Sequence, residues 1–337
     1  MPEIRQNIAT KEWVIIATER ARRSDEFRQS GRELTQDRPP WDAKCPFCPG
    51  NEEPAQTEQM RIPAEGPWQL RAVLNKFPAL ALDGERQRHF AGINRWLSGV
   101  GRHEVIIETP LHNTCPALET PEEVARTVWA FQARGADFSQ DARIEQVVYF
   151  KNHGPLAGTS MAHAHAQIVG LPMVPSHIRS RAEEARRYFD DSGDCVYCVM
   201  LNGELADAKR IIASNEHFVA FIPYAAFSPF HTWILPRRHC AGFLSASQSE
   251  VAALGHILRD VLRRLYIGLR DPDYNYVIRS GPIGDPGYEY MHWYLTIIPH
   301  VTKAAGFEMG SGMFINTALP EESAAFLRET DPDGSVL

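Results

Sequence analysis

Cysteine and histidine recur in this chain at spacings that suit a bound metal. Cys45 and Cys48 form one Cys-x-x-Cys pair, and Cys195 and Cys198 form a second. Two histidines follow each pair, His112 and His163 after the first and His239 and His292 after the second, separated by 51 and 53 positions. A structural zinc site takes four cysteine or histidine ligands. Each half of the chain therefore supplies one set, Cys45, Cys48, His112 and His163 in the first and Cys195, Cys198, His239 and His292 in the second. A single Cys-x-x-Cys also reads as free thiols or a redox dithiol. Two pairs with matched histidines are a far more specific signal, and Pro46 and Pro49 tighten the first turn. Cys115 and Cys240 have no place in the pattern and are expected to be buried thiols.

His163 belongs to the run Met161-Ala-His-Ala-His-Ala-Gln167. On a regular strand His163 and His165 share one face, because side chains alternate with a period of two. In isolation they read as a bidentate metal pair, since histidine is the commonest ligand. The repeat separates them. The second half keeps His292 but carries Tyr294 where the first has His165, so His165 is the residue a metal site can do without. A neutral imidazole nitrogen attacks phosphorus, and the covalent intermediate splits one hard transfer into two easier ones. Such chemistry needs donors around the phosphoryl oxygens. Gly158-Thr-Ser160, Asn152 and Gln167 offer them nearby, and Arg20 and Arg23 offer charge for a distal phosphate.

These residues need rigid elements behind them. Strands are expected over Trp13–Ala17, Gln69–Leu74, Glu104–Glu108, Gln146–Phe150 and Ala164–Val169. The second half repeats the order with Phe218–Ile222, Thr232–Leu235 and Tyr276–Ile278, and in each half the strand before the metal histidine is expected to end at it, at His112 and His239. A helix fits Pro121 to about Gly135 with Thr120 as its cap. A longer one fits Ser247 to about Ile267, with Gly268 as its stop. A charged helical stretch runs from Arg179 to Arg187. His153 and His231 are expected to pack beside the site, and Trp233 and Trp293 to lie in the core. Arg279 reads as an anion contact or a surface charge and is not counted among the site residues.

Composition bounds the rest. With 337 residues, 44% hydrophobic and 23% charged, the chain can bury a sizeable core. A net charge of −7 leaves no basic footprint for nucleic acid. No apolar run reaches the roughly 18–20 residues of a membrane span, and the polar start lacks a signal-peptide core. A cytoplasmic location is expected.

Over nearly its whole length the chain resembles the galactose-1-phosphate uridylyltransferase family of the histidine-triad superfamily. The likeness rests on Arg20-Ala-Arg-Arg23, Cys45-Pro-Phe-Cys48, Leu74-Asn75, Phe150-Lys-Asn152, Gly158-Thr-Ser160, His163-Ala-His-Ala-Gln167, His292-Trp293 and Lys303-Ala-Ala-Gly-Phe307. The resemblance implies an α+β fold of two pseudo-symmetric histidine-triad-like halves, 1–175 and 176–337, sharing an antiparallel sheet flanked by helices, often as a homodimer. It implies a ping-pong reaction with His165 as nucleophile and Gln167 supporting the intermediate. Cys45, Cys48, His112 and His163 become zinc ligands, with a second zinc at Cys195, Cys198, His239 and His292. Asn75 becomes a nucleoside contact, and Asn152, Gly158, Ser160, Arg20 and Arg23 become phosphate contacts. Lys303 and Phe307 join the substrate-binding set.

The chain also departs from the family pattern. The usual His-Pro-His-Gly-Gln has alanine spacers here. A second metal site of glutamate and histidines found in some members is absent, with Thr296 and Ile298 on the matching strand. Lys76 replaces the acid after the nucleoside-contact asparagine, and Phe307 replaces an aromatic hydroxyl near the hexose. These changes resemble the side branch of ADP-sugar phosphorylases and adenylylsulfate:phosphate adenylyltransferases. Two transfers are therefore expected as alternatives: UMP between sugar phosphates, or AMP from an ADP-sugar or adenylylsulfate to phosphate. A non-catalytic, zinc-stabilised nucleotide binder is the reading from another class, and labelling of His165 by a nucleotide would exclude it.

Overall fold

A computed structural model of the chain describes residues 1–17, 23–28, 31–52, 57–284 and 289–334. Arg20 lies outside the described residues. The amino-terminal half contributes strands β1 (Glu3–Gln6), β2 (Trp13–Ile16), β3 (Glu58–Ile62), β4 (Leu70–Leu74), β5 (Arg88–Ala91), β6 (Asn94–Leu97) and β7 (Arg102–Ile107). Helix α1 (Pro121–Phe138), β8 (Gln146–His153) and β9 (His165–Leu171) follow. Next come helices α2 (Ser176–Ser192) and α3 (Val196–Asp207), strands β10 (Ile211–Ser214), β11 (Phe218–Phe221) and β12 (Thr232–Pro236), and helix α4 (Gln248–Leu269). The chain ends with β13 (Tyr274–Arg279), β14 (Tyr294–Pro299), α5 (Gly306–Ser311), β15 (Phe314–Asn316) and α6 (Pro320–Glu329).

Ten strands form one antiparallel sheet in the order β10-β11-β12-β14-β13-β8-β9-β7-β4-β3. The order reads as two matching blocks that meet between β13 and β8. The register matches as well. Gln167 lies opposite Val105 and Phe150, and Thr296 lies opposite Trp233 and Val277. Counting along the strands then pairs His165 with Tyr294, His103 with His231 and Asn152 with Arg279. The fold is thus the α+β arrangement of two pseudo-symmetric halves that the sequence implies.

One face of the sheet carries the main core. Ala166, Ile168 and Ile106 on the sheet pack with Val124, Val128 and Phe131 of α1 and Leu254, Leu258 and Val261 of α4. Both helices begin with a capping box, Thr120 with Glu123 and Ser247 with Glu250, which satisfies their first free amides. The alternate residues, including Val105, Ile107, His165 and Gln167, face the opposite side.

Three expectations need correction. The strand before His112 ends at Ile107, and that before His239 ends at Pro236, so both histidines stand in the following loops. There the backbone is free to turn back toward its cysteine pair. Gly268 does not stop α4. The helix runs to Leu269 and ends at Arg270, whose φ is 61°. A Cβ on Gly268 would press on the Phe326 ring, so this glycine admits α6. Strand β8 extends past Phe150 to His153 and so carries Asn152 on its regular ladder.

Candidate active site and metal clusters

The first Cys-x-x-Cys is a tight turn in which Cys48 N–H donates to Cys45 O at 3.2 Å. The turn meets the loop after β7 and the residues just before β9. Ligand atoms of Cys45, Cys48, His112 and His163 all lie within 4.8 Å of one another, and all four residues are buried. Sulfur to Nδ1 distances are 3.6 Å from Cys45 and Cys48 to His163 and 3.5 Å from Cys48 to His112. Tetrahedral coordination at ordinary Zn–S and Zn–N lengths puts neighbouring ligand atoms about 3.6 Å apart. His163 Nε2 is 2.7 Å from Thr109 O, so it carries the proton and leaves Nδ1 bare for a metal. Burial pulls the His163 imidazole down to about 4, keeping it in the neutral, ligating form.

The second cluster repeats this geometry. Cys198 Sγ is 3.3 Å from His239 Nδ1 and 3.4 Å from His292 Nδ1, and His292 Nε2 is 3.0 Å from Pro236 O. Cys195 completes the set. His239 is exposed, so this cluster lies nearer solvent than the first. The donor sets and spacings of both clusters fit a tetrahedral metal ion. A third group, Cys115, His153 and Asp271, is also close. Its chemistry is already satisfied, because Asp271 bonds His153 Nε2 at 2.7 Å and accepts from Thr35 N and Oγ1.

His165 opens β9 beside the first cluster, and the Phe47 ring from the Cys45–Cys48 turn touches both histidine rings. His165 Nδ1 is 2.9 Å from His163 O. A carbonyl only accepts, so the proton sits on Nδ1 and the Nε2 lone pair is free. Burial, reinforced by the nearby Lys151 ammonium, draws the imidazole down to about 4, so it is uncharged at neutral pH. His165 lines a cavity of about 410 Å³ together with Asn75, Ser160, Gln167, Phe47, His103 and Arg71. That volume suits a nucleotide-sized ligand.

Gln167 is fixed across the sheet by His103. Ala79 N–H donates to His103 Nδ1, so His103 Nε2 carries the proton and donates to Gln167 Oε1 at 2.9 Å. Asn75 Nδ2 lies 3.0 Å from the same Nε2. Asn152 is held from the other half, where Asn275 Nδ2 donates to Asn152 Oδ1 at 2.7 Å and to Ala157 O at 3.0 Å. The Gly154–Ser160 loop turns through Gly158, whose φ of 86° is left-handed. Asp273 anchors this loop by accepting from Leu156 N–H.

These arrangements can be set against known proteins. Residues 1–175 match the family described as "Galactose-1-phosphate uridyl transferase, N-terminal domain", and residues 146–298 match its "C-terminal domain". The ADP-glucose phosphorylase of Arabidopsis thaliana is 34% identical over 333 residues, spanning 97% of this chain and 93% of that protein. This chain belongs to the galactose-1-phosphate uridyl transferase family. The Thermotoga maritima galactose-1-phosphate uridylyltransferase is 28% identical over 343 residues, spanning 98% of this chain and 99% of that protein. A crystal structure of an ADP-glucose phosphorylase from Arabidopsis thaliana with bound ADP-glucose matches with a TM-score of 0.82 at 31% identity, covering 98% of this chain and 99% of that one.

Not every residue that the family pattern assigns reaches the His165 cavity. Asn152 and Gly158 are not among the residues that line it. Arg23 is exposed at the start of a short 3-10 turn. Lys303 lines a separate cavity near β14, and Phe307, on α5, is exposed. Other residues at the site are given no role by the sequence, although Phe47 and Lys151 lie inside two of the quoted motifs. His103, Phe47 and Arg71 join the lining, and Lys151 lies beneath it, donating to His165 O at 3.0 Å. The available signal for His103 is its spacing of two from Val105 and four from Ile107. That spacing becomes informative only when β7 is known to pair with β9.

Proposed function

We propose that His165 carries the nucleotidyl group covalently during turnover. The chain is a nucleotidyltransferase by family, and the observation that carries this mechanism is that His165 lines the cavity with Nδ1–H committed to His163 O, which leaves Nε2 as the free nitrogen. Nε2 attacks the phosphorus next to the nucleoside, an N–P bond forms, and the P–O bond to the sugar phosphate breaks. An acceptor oxygen then attacks the same phosphorus, and the N–P bond breaks to free His165. Gln167, oriented by His103, donates its amide hydrogens to the phosphoryl oxygens, as does the Ser160 hydroxyl. Asn152, the Gly158 backbone, Arg20 and Arg23 contact the phosphates, Asn75 the nucleoside, and Lys303 and Phe307 the far end of the substrate.

The donor we favour is an ADP-sugar, with inorganic phosphate as acceptor and ADP and a sugar 1-phosphate as products. The 34% identity to an ADP-glucose phosphorylase across 97% of the chain supports this reading. Lys76 and Phe307, at positions where the uridylyl-transferring pattern has an acid and a hydroxyl, support it too. Transfer of UMP is the second reading, favoured by the full-length likeness to a uridylyltransferase.

We assign zinc to both clusters, held by Cys45, Cys48, His112 and His163 and by Cys195, Cys198, His239 and His292. Two thiolates and two imidazoles select zinc. The ion would clamp the segment that leads into β9. We place the halves at 1–175 and 176–337 and infer a homodimer. All six cysteines are free, as suits the cytoplasm. No helix among the described residues is long and apolar enough to cross a membrane.

The test uses ADP-glucose and UDP-glucose labelled in the nucleoside-proximal phosphate, followed by alkaline denaturation. Label retained from ADP-glucose, and absent in His165→Ala, is the expected result. The variant should also lose turnover by at least about 10³-fold. Label from UDP-glucose alone replaces AMP by UMP. Turnover without retained label overturns the covalent step.

A further inference from the structure

The carboxyl-terminal half holds a second cavity, of about 170 Å³, on the same face of the sheet as the His165 cavity. It occupies the pseudo-symmetric position. Arg279 stands where the first half has Asn152, Thr296 where it has Gln167, His231 where it has His103, and Tyr294 where it has His165. The pairing of His103 with Gln167 is reproduced, since His231 Nε2 lies 2.8 Å from Thr296 Oγ1. The chemistry has changed in one direction: a neutral amide has become a guanidinium, and α2 brings a second guanidinium, Arg181, into the same cavity.

Three buried N–H groups here have no acceptor: Arg181 Nε, Arg279 Nε and His231 Nδ1. The third follows from the tautomer. Trp233 Nε1–H donates to His231 Nε2 at 3.1 Å, so Nε2 is the bare nitrogen and Nδ1 carries the proton. His231 is only 4% exposed. Buried donors are almost always satisfied, because an unmet one forfeits its hydration without return. Charge is unbalanced as well. The carboxylate lining the cavity is Glu12, half exposed, with Arg181 Nη2 at 3.5 Å and His177 Nε2 at 3.9 Å. Burial, and after it the neighbouring Arg181, draw Arg279 below its usual range.

We propose that the Arg181–Arg279–His231 cavity binds a tetrahedral oxyanion, phosphate or sulfate. The donors come from three separate places in the fold, Arg181 on α2, Arg279 on β13 and His231 just before β12, and a tetrahedral oxyanion offers an acceptor to each. The volume is less than half that of the His165 cavity and excludes a nucleotide. Tyr294, in the place of the nucleophile, accepts from Arg181 Nη1, so its oxygen serves to position a guanidinium. The site binds an anion and performs no transfer. Its occupancy offsets the repulsion between the two guanidiniums and stabilises the carboxyl-terminal half.

The proposal does not depend on the reading of His165, and its test removes that site. In a His165→Ala, Asn152→Ala background, thermal unfolding is followed against sodium phosphate, sodium sulfate and sodium chloride at constant ionic strength. The expected result is a saturable rise in Tm with phosphate or sulfate beyond that with chloride, lost on adding Arg279→Gln and retained with Arg279→Lys. A rise with one oxyanion alone names that ion as the ligand. Equal rises with chloride, or an unchanged phosphate response in Arg279→Gln, overturn the site. If Arg279→Gln does not fold, crystals of the background protein soaked in sodium selenate decide. An anomalous peak within hydrogen-bond reach of Arg181 and Arg279 supports the site, and no peak there overturns it.

Discussion

Behind the strand that presents His165, three ionisable side chains share one dry space. Lys151 Nζ is 2.6 Å from Glu108 Oε2 and also holds the His165 carbonyl, so this ion pair fixes the backbone of His165. Removing one partner of a buried pair strands a charge, which is why such lysines resist substitution. Glu119 is the third group. It is buried, neither carboxyl oxygen has a hydrogen-bond partner, and burial, followed by the charge of Glu108, pushes it well above the usual carboxylate range. Glu119 is therefore protonated in the folded state at pH values where the unfolded chain has lost the proton. The folded state binds more protons, so stability falls as pH rises above the ordinary glutamate value, by at most about 1.4 kcal/mol per pH unit for one group. Glu119→Gln keeps the shape and removes the titration. Urea unfolding midpoints from pH 5 to 8 should thus fall less steeply in the variant than in the natural protein, with the two converging at the acid end. Parallel profiles would show that Glu119 ionises without penalty.

Helices α1 and α4, which cover this face of the sheet, pack without space to spare. A Cβ on Gly255 of α4 would overlap the backbone of Ala125 on α1. A backbone cannot move aside as a side-chain tip can, so Gly255→Val should separate the two helices and cost about 1–3 kcal/mol or more. Guanidinium unfolding should show that loss while the metal content stays unchanged, since both clusters lie outside the α1–α4 core. How much was legible beforehand follows from the range of each interaction. The starts of α1 and α4 were readable because Thr120 and Ser247 act on amides three residues away. The alternation of His165, Gln167 and the intervening Ala166 was readable because a strand face is local. His112 and His239 were placed on strands because an apolar run does not reveal where its ladder partner ends. Gly268 looked like a stop because its neighbour Phe326 is far along the chain. His103 and Lys151 were invisible as site residues for the same reason, as each acquires its role from β9 lying beside it.

At the scale of the whole molecule the two halves are tied together at both ends. The first strands, β1 and β2, join β15 in a separate small sheet, and Arg5 pairs with Glu321 at 3.0 Å. Asn275 and Asp273 of the second half position the Gly154–Ser160 loop of the first. The His165 site in one half therefore depends on the fold of the other. The β5–β6 hairpin differs, because it forms its own two-stranded sheet and carries Phe90, Ile93 and Trp96 at 67%, 96% and 53% exposure. A lone hairpin is marginal in water; its register puts Phe90 and Trp96 on opposite faces, with Ile93 at the turn, and large apolar side chains exposed along such an element mark a contact region. In the homodimer inferred above, this hairpin is the element we assign to the interface, because a two-fold contact buries the same exposed apolar side chains of both copies at once. Light scattering on the natural protein should then give twice the chain mass of 38.0 kDa, and the double variant Ile93→Asp, Trp96→Asp should give a single mass with folding and metal content retained. A dimer that survives the double variant would move the interface elsewhere on the surface, and a monomeric natural protein would remove it altogether.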